Sequence, residues 1–368
     1  MKVLITGING FIGKNLESHL RERQDIEVLS CARDDLVGLR ARVAEADCIF
    51  HLAGVNRPQD PAEFVTGNSD FTIALCDGLR ASGKCIPVVY SSSIQADRDN
   101  AYGNSKRAAE EALQAVAAHQ AIRLHVLRLP NVFGKWAQPN YNSAVATFCH
   151  NIARGLPIQI NDSQVPLQLV YIDDVVRHCI AILDGKTTDC SAQVEPVYST
   201  TVGAVADQLL AFRESRETLI TERVGTGLVR ALYSTYLSYL PEQAFTYEVP
   251  SYSDPRGVFV EMLKTPDAGQ FSYFTARPGI TRGGHYHHSK TEKFLVIKGQ
   301  ANFRFRHIVS GDYYEVRTCG EKPVIVETVP GWTHDITNIG EEEMIVMLWA
   351  NEIFDREQPD TYTLPVCP

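Results

Sequence analysis

The sequence changes character once, near Pro241, and this change limits the chain to a two-domain architecture. Before it, short apolar runs such as Val3-Leu4-Ile5 and Val88-Val89-Tyr90 alternate with longer amphipathic stretches, which is typical of βαβ units and a parallel sheet. After it, the runs are short, aromatic and alternating, and Gly or Pro separates them, which indicates an all-β sandwich or barrel. We predict an α/β domain over 1–243 and an all-β domain over 244–368, since a length of 368 residues suits two domains.

Composition excludes several kinds of partner. Asp and Glu total 44 against 35 Lys and Arg, a formal net charge of −9, so we expect neither nucleic acid nor an anionic membrane surface, both of which select a basic patch. The nine cysteines contain no CxxC pair, which is typical of reduced cytosolic thiols. Each apolar stretch falls far short of the roughly 20 residues that a bilayer requires. We therefore expect a cytoplasmic protein without membrane insertion.

A glycine-rich loop follows the first predicted strand and opens a helical pattern at Lys14. Glycines at such a turn allow the backbone to approach a pyrophosphate, and the following helix supplies oriented N–H groups. A simple strand-to-helix turn is the alternative, but the position of the loop in an alternating βαβ region favours nucleotide binding. The predicted cofactor-binding residues of this loop are Gly7, Asn9, Gly10, Phe11, Ile12 and Gly13.

The end of the second predicted strand bears on the choice of cofactor. It reads Cys31-Ala32-Arg33-Asp34. An acidic residue at such a strand tip hydrogen-bonds the ribose 2′-OH of NAD, whereas an arginine accommodates the 2′-phosphate of NADP. Arg33 favours NADPH, and Asp34 beside it leaves NAD open.

A Y-x-x-x-K motif runs from Tyr102 to Lys106, a spacing that places both side chains on one face of a helix. We expect the lysine charge to lower the pKa of the Tyr102 phenol, which would then exchange a proton with a substrate oxygen near neutral pH. The serine run Ser91-Ser92-Ser93 ends the preceding predicted strand and can hold a substrate carbonyl. Tyr286 and Lys290 have the same spacing, but no glycine loop accompanies them, so we interpret that match as chance.

These motifs, together with His51-Leu52-Ala53-Gly54 and the run from Arg128 to Gly134, make residues 1 to about 240 resemble an extended short-chain dehydrogenase/reductase that modifies nucleotide sugars. The resemblance implies a Rossmann-type fold in which Tyr102 is the proton donor, Ser93 its hydroxyl partner and Lys106 the ligand of the nicotinamide ribose. It also implies that Leu52 and Ala53 contribute to the cofactor site and that Asn131 begins the sugar-nucleotide site. The gap between Ser93 and Tyr102 is shorter than in the family, which leaves the choice among the three serines open.

Four residues of the β-rich half have the spacing of metal ligands. His285 and His287 are two apart, so they share one face of an extended strand, and Glu292 can approach the same ion from the next strand. His334, in Gly331-Trp332-Thr333-His334, adds a fourth donor. Three imidazoles and a carboxylate suit a divalent ion such as Zn, Fe, Ni or Mn. We interpret His288 and His307 as ordinary polar positions.

The pattern Gly279-x5-His285-x-His287-x4-Glu292-x6-Gly299 and the later Gly331 segment resemble the two motifs of the cupins, which implies a jelly roll. Within the cupins, the segments that contain Arg256 and Arg282 resemble the deoxysugar-nucleotide 3,5-epimerases. This implies that the two arginines contact the substrate. In those enzymes the histidine that matches His285 is a base and no metal is needed, so ligand and base both stay open for His285.

Taken together, the halves resemble bifunctional capsule or O-antigen enzymes. The resemblance implies C3 epimerisation of a UDP-4-keto-6-deoxy-N-acetylhexosamine in the cupin, then NADPH-dependent C4 reduction, to a UDP-N-acetyl-L-6-deoxytalosamine-type product. It also implies one divalent metal, Zn in first place, and a homodimer. The metal or Lys293 would stabilise the enolate, and Lys293, Tyr286 and His288 are candidate bases. Two alternatives remain: one reductase site performs both steps, or the cupin only binds sugar or dimerises.

Overall fold

The computed structural model describes residues 1–31, 35–58, 60, 62–187, 189–190, 193–249, 251–254, 257–260, 263, 269–352 and 357–367. The helices are α1 (Phe11–Arg21), α2 (Leu36–Glu45), α3 (Ala62–Phe64), α4 (Phe71–Ser82), α5 (Ala101–Gln120), α6 (Ala144–Ala153), α7 (Ile172–Leu183), α8 (Val202–Thr218) and α9 (Gly227–Leu237). A π-helical turn covers Val65–Asp70, and 3-10 turns cover Ile94–Asp97 and Glu242–Phe245.

The strands fall into two groups along the chain. The first group is β1 (Lys2–Thr6), β2 (Glu27–Cys31), β3 (Cys48–His51), β4 (Val88–Ser93), β5 (Leu124–Leu129), β6 (Asn131–Phe133), β7 (Pro166–Tyr171) and β8 (Val197–Thr201). The second is β9 (Thr246–Glu248), β10 (Ser251–Asp254), β11 (Gly257–Val260), β12 (Gln270–Ala276), β13 (Thr281–Tyr286), β14 (Glu292–Lys298), β15 (Gln300–His307), β16 (Tyr313–Cys319), β17 (Val324–Glu327), β18 (Trp332–Asn338), β19 (Met344–Ala350) and β20 (Tyr362–Thr363).

The first five strands form a parallel sheet in the order β2-β1-β3-β4-β5. Because the order reverses between β1 and β3, the loops that follow these two strands meet at one edge, the place where open α/β sheets bind ligands. Leu4, Ile49 and Val88 are fully buried in the sheet, and Leu75 of α4 and Ala109 of α5 pack on the same core. This is the Rossmann-type fold that the alternating pattern predicts.

Most strands after residue 245 form an antiparallel sandwich, and β10 and β11 pair with each other in a separate two-stranded sheet. One sheet has the order β12-β19-β14-β17-β9 and the other has the order β16-β15-β18-β13-β20. Phe303 and Phe305 of β15, Phe294 of β14 and Ile336 of β18 fill the core between the sheets. This two-sheet arrangement is the all-β architecture that the alternating pattern of this half predicts.

The chain divides into two compact units. The N-terminal unit comprises residues 1–133, 140–143 and 167–199, and the C-terminal unit comprises residues 134–139, 144–166 and 200–368. Helices α6, α8 and α9 pack against one another and belong to the C-terminal unit. The domain boundary at residue 243 stays a prediction.

No helix in the part of the chain that the structure describes combines the length and apolar character needed to cross a membrane.

Candidate active sites

The glycine loop lies at the carboxyl end of β1, beside the loop that follows β3. Gly7 has a φ of 73°, and a Cβ atom there would lie 2.6 Å from the backbone nitrogen of Ala53. A Cβ atom on Gly13 would lie 2.2 Å from the carbonyl oxygen of Gly7, so neither position has room for a side chain. Gly10 is the N-cap of α1, without a capping side chain and without an acidic residue in the first turn. The loop therefore presents bare backbone and a helix N-terminus, the arrangement that binds a pyrophosphate.

His51, the last residue of β3, hydrogen-bonds the end of β1 and helix α4. Its ring nitrogens lie 2.7 Å from Thr6 Oγ1 and 2.8 Å from Thr72 Oγ1, and Leu52 N donates to Thr6 O. Burial lowers the pKa of His51 to about 3. A neutral ring with one donor and one acceptor suits two hydroxyl partners, so His51 is a structural residue that positions Leu52 and Ala53 at the cofactor loop.

Tyr102, Lys106 and Ser93 come together at the carboxyl end of β4. Lys106 is buried, donates to the carbonyl oxygen of Ser91 at 2.9 Å and lies 5.0 Å from the centre of the Tyr90 ring. Burial lowers the pKa of Lys106 to about 8, although Glu110 opposes this shift. Ser93 hydrogen-bonds the Tyr102 phenol. The first turn of α5 thus presents a phenol and an ammonium on one face, as the spacing predicts.

The expected effect of Lys106 on Tyr102 is corrected by the structure. Burial raises the pKa of the Tyr102 phenol, and the hydrogen bond from Ser93 only partly offsets the shift. The reason is that a phenolate loses its hydration in this half-buried position, where Phe64 lies 5.7 Å away. A raised pKa keeps Tyr102 protonated, which is the state that a proton donor needs.

The three serines have different partners. Ser91 supplies its carbonyl to Lys106, and the Ser92 hydroxyl donates to the buried carboxylate of Glu110. Arg128 holds that carboxylate with a 2.6 Å contact and also reaches Asp97 at 2.7 Å. Ser93 is the serine that contacts Tyr102. The structure thus favours Ser93 among the three.

Four histidine and glutamate side chains meet inside the sandwich. Potential ligand atoms of His285, His287, Glu292 and His334 all lie within 4.8 Å of one another. Strand pairing explains this: His285 of β13 is opposite His334 of β18, and Glu292 begins β14 in the facing sheet. Glu292 Oε2 lies 3.1 Å from His287 Nε2 and 3.5 Å from His334 Nε2.

The hydrogen bonds of His287 test whether this cluster fits a cation. Its Nδ1 contacts the carbonyl oxygen of Asp360, which can only accept, so Nδ1 carries the hydrogen. In the neutral ring the lone pair on Nε2 then faces the Glu292 carboxylate, and two acceptors at 3.1 Å require a proton or a metal ion between them. Ligand atoms bound about 2.0–2.1 Å from one zinc ion are separated by roughly 3.3 Å. The four side chains therefore fit a divalent metal.

The electrostatics of the cluster are those of a ligand set. Burial and the two neighbouring histidines lower the pKa of His285 to about 3, and burial also lowers the pKa of His334. Burial opposes ionisation of Glu292, but His287 and His334 outweigh it, so the pKa of Glu292 lies well below its usual range. Neutral imidazoles and an ionised carboxylate are the forms that bind metals.

Comparison with known proteins identifies the family. Residues 3–192 match the NAD dependent epimerase/dehydratase family, and residues 252–362 match the polysaccharide biosynthesis C-terminal domain. The chain belongs to the NAD-dependent epimerase/dehydratase family. The UDP-2-acetamido-2,6-beta-L-arabino-hexul-4-ose reductase of Pseudomonas aeruginosa is 63% identical over 368 residues, which cover 100% of this chain and 99% of that protein.

Two further relatives match different lengths of this chain. The crystal structure of the capsular polysaccharide assembling protein CapF from Staphylococcus aureus matches 100% of both chains, with 41% identity and a TM-score of 0.69. The UDP-glucuronate 4-epimerase 1 of Arabidopsis thaliana is 27% identical over 51% of this chain and 56% of its own length. Family membership confirms that the chain is an enzyme with a nicotinamide cofactor.

Lys293 lies away from the histidine cluster of this family member, which corrects the prediction that it acts there. It follows Glu292 directly, and neighbouring residues of a strand point to opposite faces. Its ammonium is buried against Glu327 and donates to Tyr247 Oη at 2.8 Å. Arg216 contacts Glu327 at 2.8 Å and Tyr233 contacts it at 3.5 Å. Lys293 thus joins the sandwich to α8 and α9.

The other two candidate bases are placed in the same way. Tyr286 and His288 alternate with His285 and His287, and both pack against Tyr362, with ring centres 5.5 and 5.0 Å apart. Strand alternation places Tyr286 on the face of β13 opposite His285, which corrects its prediction as a C3 base. His288 lies beyond the end of β13, and its role as a base stays a prediction. Lys290, which we interpreted as part of a chance match, lies 3.8 Å from Glu292 Oε1.

Two of the remaining predicted residues lie on the surface of the chain. Asn131 is exposed at the start of β6. Arg282 is exposed. Its guanidinium lies 4.9 Å from the centre of the Phe274 ring and donates a hydrogen bond to the carbonyl oxygen of Thr275. Arg33 and Arg256 lie outside the described residues.

Asn68 is a residue of the N-terminal site that sequence reasoning missed. It lies in the π-helical turn, where its amide oxygen accepts from Val55 N at 2.7 Å. Its amide nitrogen donates to Val55 O and to Ser105 Oγ, each at 3.0 Å. Asn68 therefore connects the loop after β3 to Ser105 of α5, which lies between Tyr102 and Lys106 in the sequence. A π-turn has no periodic sequence signal, although such turns are frequent at functional sites.

Proposed function

We propose that this chain is a bifunctional UDP-sugar enzyme. Its C-terminal unit epimerises C3 of a UDP-4-keto-6-deoxy-N-acetylhexosamine, and its N-terminal unit then reduces the C4 ketone with NADPH. The product is a UDP-N-acetyl-L-6-deoxytalosamine-type sugar for surface polysaccharide. The P. aeruginosa relative is named as a 4-ketose reductase, and the S. aureus structure is a capsular polysaccharide assembling protein; both support the proposal.

The observation that carries the reduction is the Tyr102 phenol, held by Ser93 one helical turn from Lys106. Lys106 would hold the ribose of a bound NADPH, which would supply the hydride for C4 of the sugar and be oxidised to NADP⁺. The C4 oxygen takes the phenolic proton of Tyr102, and water returns a proton to the phenolate. The raised pKa of Tyr102 suits it to donating this proton.

The cluster of His285, His287, Glu292 and His334 would hold one divalent ion, for which we propose zinc. When bound, such an ion supplies Lewis acidity toward a carbonyl oxygen. The chain's own contribution is the placement of four donors and of the Lys290 ammonium, 3.8 Å from Glu292 Oε1. A 4-ketone acidifies the C3–H bond, so a base of this unit takes the C3 proton and the resulting enolate regains a proton from solvent on its opposite face. We assign Lys290 to the stabilisation of that enolate in place of Lys293.

Solvent deuterium exchange on the full chain tests the two-site proposal. Tyr102→Phe removes only the phenolic hydroxyl, so NADPH oxidation should fall roughly 10²-fold or more, while deuterium uptake at C3 survives. Glu292→Gln should abolish C3 exchange yet still oxidise NADPH when pre-epimerised 4-ketose is supplied. Tyr141→Phe removes a phenol from an exposed residue of the N-terminal unit and serves as the control, with both rates unchanged.

The alternatives give different results in the same assay. If one reductase site performs both steps, Tyr102→Phe lowers exchange and reduction together. If the cupin only binds sugar or dimerises, Glu292→Gln leaves C3 exchange intact. Either pattern contradicts the two-site proposal. We also propose a homodimer and a cytoplasmic location; the nine cysteines, which include no CxxC pair, support a reducing compartment.

A further inference from the structure

The carboxylate of Asp360 is surrounded by donors from one turn. This turn, residues 288–290, leads from His287 toward Glu292. Asp360 Oδ1 accepts from His288 N at 2.8 Å, and Oδ2 accepts from Ser289 N at 2.7 Å, Ser289 Oγ at 2.9 Å and Lys290 N at 2.7 Å. Successive backbone N–H groups that converge in this way form a concave anion site, and here a side chain of the same chain fills it.

The main chain of Asp360 contacts the histidine cluster directly. Its carbonyl oxygen accepts from His287 Nδ1. The next residue, Thr361, accepts from Lys290 Nζ at 2.9 Å. Strand β20 pairs with β13, with Tyr362 opposite Tyr286 and Thr363 opposite His285, which fixes the register of Asp360 against His287. One short segment therefore contacts the turn, His287 and Lys290.

The contact with His287 determines which ring nitrogen carries the hydrogen. A carbonyl oxygen cannot donate, so Nδ1 carries a hydrogen and donates it. Nε2 lies 3.1 Å from Glu292 Oε2, where it shares a proton or a metal ion with that carboxylate. Partners of this kind on metal-binding histidines fix the tautomer and the ring orientation, and their loss typically weakens metal binding 10- to 100-fold.

We propose that Asp360 is a positioning residue for the metal site: its side chain fixes the 288–290 turn and so holds its own carbonyl against His287 Nδ1. The inference rests on the proposed metal function of the cluster. Asparagine is not an adequate substitute, because its amide has one acceptor oxygen and its NH₂ would face the N–H groups of Ser289 and Lys290.

Metal titration of the full chain against a competing chelator tests the proposal. Asp360→Asn should raise the dissociation constant for Zn²⁺ about 10- to 100-fold. Ser289→Ala removes one of the four donors and should raise it by a smaller factor; it is the variant to use if Asp360→Asn fails to fold. Asp312→Asn is the matched control, since Asp312 accepts from Ser310 in an exposed turn, and it should leave the constant unchanged.

Nitrogen NMR of the histidine rings in metal-free protein gives a second readout. We expect the His287 ring, assigned with His287→Gln, to carry a hydrogen on Nδ1 in the wild type, and a mixture of rings with and without that hydrogen in Asp360→Asn. Unchanged tautomer and unchanged metal affinity in that variant would overturn the role of Asp360 and leave the metal site standing. A wild type that binds no metal but shows the tautomer change would overturn the metal site while supporting the positioning role.

Discussion

At the scale of single residues, we predict that the choice between NADPH and NADH depends on Arg33. An arginine at the end of β2 accommodates the 2′-phosphate of NADP, so Arg33→Ala should weaken NADPH binding far more than NADH binding. Fluorescence titration with both cofactors measures the ratio, and Arg40→Ala, an exposed position in α2, is the control. Equal affinity of the wild type for NADPH and NADH would contradict the prediction.

We predict that metal content depends on His285, His287, Glu292 and His334. Elemental analysis of protein purified without chelator should find close to one metal ion per chain, and the double substitution of His285 and Glu292 by Ala should empty the site. His307→Ala should retain the metal, because His307 binds Trp136 and the turn at Ser310 instead. Full metal content in the double variant would refute the ligand assignment.

His51 should make the N-terminal unit sensitive to acid. The pKa of His51 falls from 6.5 to about 3 on folding because the ring is fully buried. The unfolded chain binds more protons between these values, so the free energy of unfolding is largest above pH 6.5 and falls as the pH drops toward 3. The loss is on the order of 4 kcal/mol. Thermal unfolding from pH 8 to pH 4 should show a weaker pH dependence in His51→Gln, whereas the exposed His119→Gln should match the wild type.

Some residue assignments were predictable from the sequence and others were not. The two-residue spacing of His285 and His287 is enough to place both on one face of a strand, and the structure brings them together. The same rule places Lys293 and Glu292 on opposite faces of β14, so the sequence alone predicts that Lys293 points away from the cluster. Asp360 has no local signal at all, because its role comes from strand pairing between distant segments.

At the scale of elements, the entry into α5 depends on Gly103. A Cβ atom there would lie 2.2 Å from the carbonyl oxygen of Gln95 and 2.6 Å from that of Arg98, both backbone atoms. Gly103→Ala should therefore displace the first turn of α5, lower the melting temperature and reduce NADPH oxidation, since Tyr102 precedes the added methyl group. Gly83→Ala, where nothing lies within 4 Å, should cost only the roughly 1–2 kcal/mol of a left-handed alanine and leave activity intact.

Element boundaries were less predictable than element types. The helical pattern that includes Lys106 begins in the structure at Ala101, because Asn100 caps the helix by accepting from Gly103 N at 2.8 Å. The asparagine is an ordinary capping residue, but the apolar periodicity of α5 does not reach its first turn. The π-helical turn at Asn68 could not be predicted, because its backbone conformation depends on the contacts that the Asn68 side chain makes with Val55 and Ser105.

At the scale of the whole molecule, α8 and α9 support the cupin sandwich although they precede residue 243. Arg216 of α8 and Tyr233 of α9 contact the buried Glu327, and Ser234 donates to the carbonyl oxygen of Ser289 at 2.6 Å. A fragment of residues 244–368 would lose these partners. We expect its melting temperature to lie roughly 5 °C or more below that of a fragment of residues 200–368. Equal melting temperatures in calorimetry would contradict a supporting role for the two helices.

The chain passes five times between its two units, at residues 133, 139, 143, 166 and 199. A ribosome releases it from one end only, so residues 134–139 and 144–166 emerge well before the sandwich to which they belong. Helix α6, within residues 144–166, cannot pack against α8 and α9 until the chain has been synthesised through Leu237. The N-terminal unit in turn requires residues 167–199, so neither unit is complete when the growing chain first passes into the other.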